Sequence, residues 1–342
     1  MKIFSIYLYT YKKFNMNIYL IRGEESMVLV VILFLLGFIM ITKGADIFID
    51  SIISVGKKTN IPEMVLGATI VSLATTFPEL TVSLCASIQG HTTMSLGNAI
   101  GSIICNTGLA LGLVSLIKPF KIRKDVFNSK AILLMIATIT LIVLCFDGKI
   151  NKFDSIILLV VLCIYMYSNY RSVPKTKMRT EVVSNKFNSK LEPLKLVMLF
   201  LIGITMMIVG SKLLVNNGVI IAGAIGIPQA VISLTVIALG TSLPELVSCL
   251  TAIKKNHNAI SVGNILGANI LNIVSVLAFS AIFNDIPILS QTSRVDFPFM
   301  IVLLVILIVP TFMKQKLYRT QGLLMLLSYI TYLVTLYFMY IV

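Results

Sequence analysis

Displaced by 166 residues, the chain matches itself without a gap, and the matches lie inside apolar runs. Gly37 falls on Gly203, Gly44 on Gly210, and Ile61-Pro62 on Ile227-Pro228. Thr75 falls on Thr241, Pro78-Glu79-Leu80 on Pro244-Glu245-Leu246, Gly97-Asn98 on Gly263-Asn264, Gly101 on Gly267 and Asn106 on Asn272. Between 60 and 106, 18 of 47 positions are identical. A shared apolar composition does not align Pro-Glu pairs, so the chain is a duplication.

The apolar runs set the scale of each copy. Of the 342 residues, 57% are hydrophobic and 12% are charged, against about 25% charged in a soluble domain. Runs long enough to cross a bilayer lie near 28–56, 61–87, 95–117, 130–146, 154–170, 194–216, 227–253, 261–283, 297–313 and 322–341. Each copy therefore holds five spans. Five is odd, so the second copy starts from the opposite side of the membrane, the plan of many secondary transporters. The expected fold is an all-α integral membrane protein with ten transmembrane helices, arranged as two inverted-topology five-helix repeats. The repeats are 27–170 and 194–342, joined by a basic cytoplasmic linker at 171–193. No stretch alternates like a membrane strand, which disfavours a barrel.

The formal charge of +14 does not point to nucleic acid, because the basic residues sit in short breaks between apolar runs rather than in one patch. Of 28 Lys and Arg, 19 follow the odd-numbered spans. The positive-inside bias puts those loops in the cytoplasm and both termini outside it. Residues 1–26 fit poorly: they carry four basic residues and no clean apolar run, and Met27 opens the first one. They read as an N-terminal extension or a misassigned start. The five cysteines lie inside apolar runs with no C-x-x-C spacing, against zinc and against a disulfide framework.

Two carboxylates stand apart from the rest. Glu79 and Glu245 lie near the middle of spans 2 and 7. An ionisable group at that depth costs at least about 2.5–3.5 kcal/mol and is normally functional. Neither span offers a Lys or Arg nearby in sequence to pair with them. Ser72, Thr75, Thr76, Glu79 and Ser83 form one helical stripe, and Thr241, Ser242 and Glu245 repeat it. The next spans carry Asn98, Ser102 and Asn106, and Asn264, Ala268 and Asn272, at intervals of four. The donors are oxygens, which suit hard cations such as Na+ and Ca2+. Pro78 and Pro244 have no N–H, so the carbonyls of Ala74 and Gly240 lose their usual helical partners. In a bilayer such carbonyls need a cavity or an ion.

Ala74-Thr75-Thr76-Phe77-Pro78-Glu79 and Gly240-Thr241-Ser242-Leu243-Pro244-Glu245 resemble the paired signature motifs of the cation/Ca2+ exchanger superfamily. Gly97-Asn98-Ala99-Ile100-Gly101-Ser102 and Gly263-Asn264-Ile265-Leu266-Gly267-Ala268 resemble its following-helix motifs. The likeness is to compact prokaryotic sodium/calcium exchangers and runs from about Met27 to the C-terminus. It implies Na+-driven Ca2+ antiport, with spans 1 and 6 sliding over a fixed core. It also implies the ligands: carboxylates from Glu79 and Glu245, oxygens from Thr75, Thr76, Thr241 and Ser242, backbone carbonyls from Ser72 and Ala238, and side chains from Asn106, Asn272 and Ser102. Ala74 departs from the motif's glycine, Thr76 from its serine, Ile103 from its asparagine and Ala268 from a serine that is common there, while Asn272 replaces an aspartate found in some relatives.

The expected function is a secondary antiporter exchanging Na+ for Ca2+ across the cell membrane, with H+/Ca2+ or other divalent-cation antiport as the alternative. A channel needs an open path, which the repeat argues against, and no nucleophile or metal pair suggests an enzyme. Ca2+ and Na+ enter as cargo and the lipid bilayer as solvent. No prosthetic group and no obligate protein partner are expected.

Overall fold

In the computed structural model, residues 27–59, 61–88, 90, 92–122, 124–172, 191–224 and 238–341 are described. The chain is helical: α1 (Met27–Thr59), α2 (Glu63–Thr75), α3 (Phe77–Ile88), α4 (Thr92–Ile117), α5 (Lys124–Leu144), α6 (Lys152–Arg171), α7 (Leu191–Ala224), α8 (Ala238–Thr241), α9 (Leu243–Lys254), α10 (Asn258–Phe283), α11 (Thr292–Lys314) and α12 (Arg319–Ile341). Among the described residues, eight helices are long and apolar enough to cross a membrane, and α2 with α3 adds a ninth if that bent pair is one span. Eight of the ten expected spans fall within single helices or their last turn. The expected span at 61–87 is broken at Thr76, where α2 and α3 meet at 43°. Of the expected span at 227–253, residues 225–237 lie outside the described residues, as do 1–26 and most of the linker.

The helix ends follow from local chemistry. Asn151 caps α6, accepting from the N–H groups of Phe153 and Asp154, while Asp154 accepts from Asn151 N–H in return. The turn after α5 closes on Gly148, whose φ of +85° a side chain would strain.

Among the described residues, four two-residue strands link the copies. β1 (Phe120–Lys121) pairs antiparallel with β4 (Lys316–Leu317), and β2 (Lys149–Ile150) pairs with β3 (Ile286–Pro287). Both ribbons therefore join a first-copy strand to a second-copy strand.

α1 and α7 pack along their length on glycine. A Cβ on Gly37 would lie 2.8 Å from the carbonyl oxygen of Gly210, and one on Gly210 would lie 2.8 Å from that of Gly37. Gly44 and Gly203 repeat the contact at 2.8 and 2.9 Å. This is the small-residue packing that lets membrane helices approach backbone to backbone. Outward-facing Phe38, Ile136, Ile164, Leu201, Val305 and Leu327 are exposed, as lipid-facing positions are.

α10 is the buried centre. Every residue from Ile260 to Ala278 is buried. It lies against α2, with Gly67 on the carbonyl of Ile260 and Gly263 on that of Met64. Gly263 and Gly267 thus let α10 approach the backbone of α2. A Cβ on Gly97 or Gly101 would meet no atom of the described residues within 4 Å.

Candidate ion-binding site

The two halves of the site are built from equivalent elements. α3 starts at Phe77 and α9 at Leu243, each with proline second and glutamate third. Proline is tolerated there because the first turn has no intrahelical acceptor for its missing N–H. The chain therefore restarts a helix at mid-span, and Glu79 and Glu245 sit in first turns, where the helix dipole favours an anion. Both are fully buried and lie within direct electrostatic reach of each other.

The asparagines arrive on a second device. In α4 and α10 the regular helix gives way to a π-turn, at Asn106–Leu111 and at Asn272–Leu277. Such turns carry an extra residue and often mark functional positions. The Asn106 turn packs against α9 and the Asn272 turn against α3, so each half supplies an asparagine to the other half's glutamate helix.

What gathers there is oxygen and amide with nothing to bond. Both carboxylate oxygens of Glu79, Oε2 of Glu245, the whole side-chain amides of Asn106 and Asn272, and the hydroxyls of Ser102 and Ser242 have no hydrogen-bond partner among the described residues. None of the ion pairs among the described residues includes Glu79 or Glu245. Native proteins leave few buried polar atoms unpaired, so a cluster of this kind is a place for a ligand. Its chemistry fits a hard cation as substrate.

The remaining expected residues are placed as follows. Thr76 Oγ1 stands 3.5 Å from Glu245 Oε1, a contact across the halves at the limit of hydrogen bonding. Thr75 is buried and donates its hydroxyl to Asn264 Oδ1 at 3.2 Å. The carbonyl of Ser72 accepts the N–H of Thr76 at 2.9 Å, and the Thr75 hydroxyl also reaches it at 3.4 Å. Ala238 and Thr241 form the short helix α8 before the second break. Ala268 is fully buried and offers no side-chain oxygen.

Bracing residues surround this set. Asn98 and Asn264 belong to the polar stripe as oxygen donors, yet their amide N–H groups hold neighbouring helices together. Asn98 donates to Ser83 Oγ at 2.9 Å and to the carbonyl of Glu79 at 3.3 Å, and Asn264 donates to Ser248 Oγ at 3.0 Å. Ser248 in turn donates to the carbonyl of Glu245 at 2.9 Å. A further clamp is legible only in three dimensions. Lys130 is buried against Asn169 Oδ1 and 5.8 Å from the Tyr165 ring, and Tyr165 and Asn169 donate to the carbonyl of Ala68. Ala68 lies in a π-turn of α2, Gly67–Val71, and the turn ends immediately before Ser72.

Comparison with known proteins agrees with this geometry. The family model described as "Sodium/calcium exchanger protein" matches residues 29–171 and 195–338. An uncharacterized membrane protein of Methanocaldococcus jannaschii, MJ0091, is 32% identical over 298 residues, covering 87% of this chain and 94% of that protein. The sodium/calcium exchanger MaX1 of Methanosarcina acetivorans is 26% identical, covering 90% and 98%. Among solved structures, the sodium-calcium exchanger NCX_Mj superimposes with a TM-score of 0.80 at 30% identity, covering 91% of this chain and 99% of that one.

Proposed function

Because this chain belongs to the sodium/calcium exchanger protein family, we propose that it exchanges Na+ for Ca2+ across the cell membrane at one central site. Glu79 and Glu245 are the central ligands. Thr75, Thr76, Thr241, Ser242, Ser102, Asn106 and Asn272 add oxygens, and Ser72 and Ala238 add backbone carbonyls. The observation that carries the reading is the pair of fully buried carboxylates at equivalent helix starts, with unpaired amides on the π-turns packed against those helices. Two carboxylates carry −2. One Ca2+ or two Na+ neutralise that charge, so the ions compete. An empty, doubly negative site resists crossing the low-dielectric barrier, which makes transport an exchange.

We read the fold as ten spans in two inverted repeats, 27–170 and 194–342, with both termini outside and 171–193 in the cytoplasm. The reciprocal contacts support it: Gly37 with Gly210 becomes Gly203 with Gly44 when the copies are exchanged, and β1 with β4 becomes β3 with β2. Alternating access then follows from α1 and α7 sliding together over the remaining helices. The decisive experiment uses purified protein in Na+-loaded liposomes diluted into Na+-free medium. Ca2+ uptake that requires the outward Na+ gradient supports the reading, and Na+-independent uptake driven by a pH gradient overturns it. Proton-coupled or other divalent exchange is the second reading, favoured by the facing carboxylates, since a proton neutralises a carboxylate as Na+ does.

A further inference from the structure

Pro244 leaves the carbonyl of Gly240 without its helical N–H partner, and the structure supplies a substitute from another helix. Ser211, on α7, donates its hydroxyl to Gly240 O at 2.6 Å, in a buried contact. The approach is tight: a Cβ on Gly240 would collide with the side chain of Val215, also on α7. Between α7 and the broken spans lies a cavity of about 130 Å³, lined by Pro78, Ser211, Lys212, Gly240 and Pro244. α7 therefore stands beside both prolines that precede the glutamates. The first copy has neither feature. The residue equivalent to Ser211 is Ala45, which has no hydroxyl, and the residue equivalent to Gly240 is Ala74, which has the methyl that Gly240 lacks.

We propose that Ser211 is a positioning residue that couples α7 to the second half-site, by holding the carbonyl one residue before Thr241 and two before Ser242. The inference rests on the exchange reading above. The two half-sites then differ mechanically: α7 grips its broken span, whereas Ala45 of α1 has no hydroxyl and Thr42, Ser51, Ser54 and Thr59 donate to carbonyls of α1 itself. Movement of α7 loosens the Thr241–Ser242 turn directly, and movement of α1 leaves the Thr75–Thr76 turn to its own packing.

The test compares wild type with Ser211→Ala, Ser211→Cys and Ser211→Thr in the liposome assay, together with amide hydrogen exchange over residues 238–244. Ala removes the donor, Cys keeps the volume with a weak donor, and Thr keeps the hydroxyl. The expected result is a rise of roughly two- to tenfold in the half-saturating Ca2+ concentration for Ala and Cys, the range of one ordinary hydrogen bond. The saturating rate changes less, and Thr stays near wild type. Amide exchange over 238–244 quickens in Ala and Cys. Equal losses of rate with unchanged half-saturation would mark a merely structural residue and overturn the proposal. So would wild-type half-saturation and wild-type amide exchange in Cys, a variant chosen to fold even where Ala does not. If wild type itself moves no Ca2+ under a Na+ gradient, the exchange reading fails, while amide exchange still decides whether Ser211 holds the turn.

Discussion

Lys255 Nζ lies 2.7 Å from Asp50 Oδ1 and 3.6 Å from Asp46 Oδ1, tying the α9–α10 connection to α1. Two residues on, His257 Nδ1 lies 2.7 Å from Glu63 Oε1 at the start of α2. One short connection thus touches both a helix proposed to slide and the helix it slides over. The equivalent positions at the other end are Gln89, Lys212 and Asn216, which cannot form the same pair. The Lys255 side chain is 23% exposed and that of Asp50 65%, so solvent screens the attraction. Lys255→Gln should lower stability by less than about 1 kcal/mol, and high salt should erase the difference. Thermal unfolding in detergent at two salt concentrations checks this; a large, salt-independent loss would show that the pair is not screened.

Replacing either central carboxylate should stop exchange. Glu79→Gln and Glu245→Gln keep size and remove charge, and each should cut Na+-dependent Ca2+ uptake by more than roughly tenfold, since a lost contact of about 1.4 kcal/mol already costs that factor. Both proteins should remain monodisperse, because neutral side chains sit more comfortably in the buried site. Uptake in liposomes and elution on size exclusion give the two readouts.

The α1–α7 contact leaves no room for a methyl group. Gly210→Ala would place a Cβ 2.7 Å from the backbone nitrogen of Ile41 and 2.8 Å from the oxygen of Gly37. Overpacking of this sort costs about 1–3 kcal/mol. A lower unfolding temperature in detergent is expected, and Gly37→Ala should behave alike because the contact is reciprocal. An unchanged melting temperature in both would mean the helices separate without cost.

Asn269 donates to Thr107 Oγ1 at 2.8 Å, and both residues are fully buried. Asn269→Leu alone should destabilise the fold. Adding Thr107→Val removes the stranded hydroxyl, and a double-mutant cycle should return a coupling near the ~0.6 kcal/mol typical of hydrogen bonds between membrane helices. Zero coupling would leave the two residues energetically independent.

The parts of this protein that repeat were legible in one dimension. The offset of 166 that aligns Pro78-Glu79 with Pro244-Glu245 also aligns α3 with α9 and the Asn106 π-turn with the Asn272 π-turn. Proline before glutamate foretold the break at Thr76, because a missing N–H acts within one turn of its own position. What stayed hidden was long-range. Nothing near Lys130 announces Asn169, and nothing near Ser211 announces Gly240. The asparagine stripe reads in sequence as a set of oxygen donors, but Asn98 and Asn264 donate their amide N–H groups to serines on the preceding helix. Side-chain spacing tells which face a group occupies, not which of its donors or acceptors a neighbour will take.

The two small ribbons set an order of events during synthesis. Phe120 is made long before its partner Leu317, and Ile150 before Ile286. Until α9 is made, Glu79 has no Glu245 to face, and until α11 has been made, β1 keeps an open edge. Neither copy can be proofread alone, and the ribbon at Leu317 is a clasp that cannot close before the chain has passed α11.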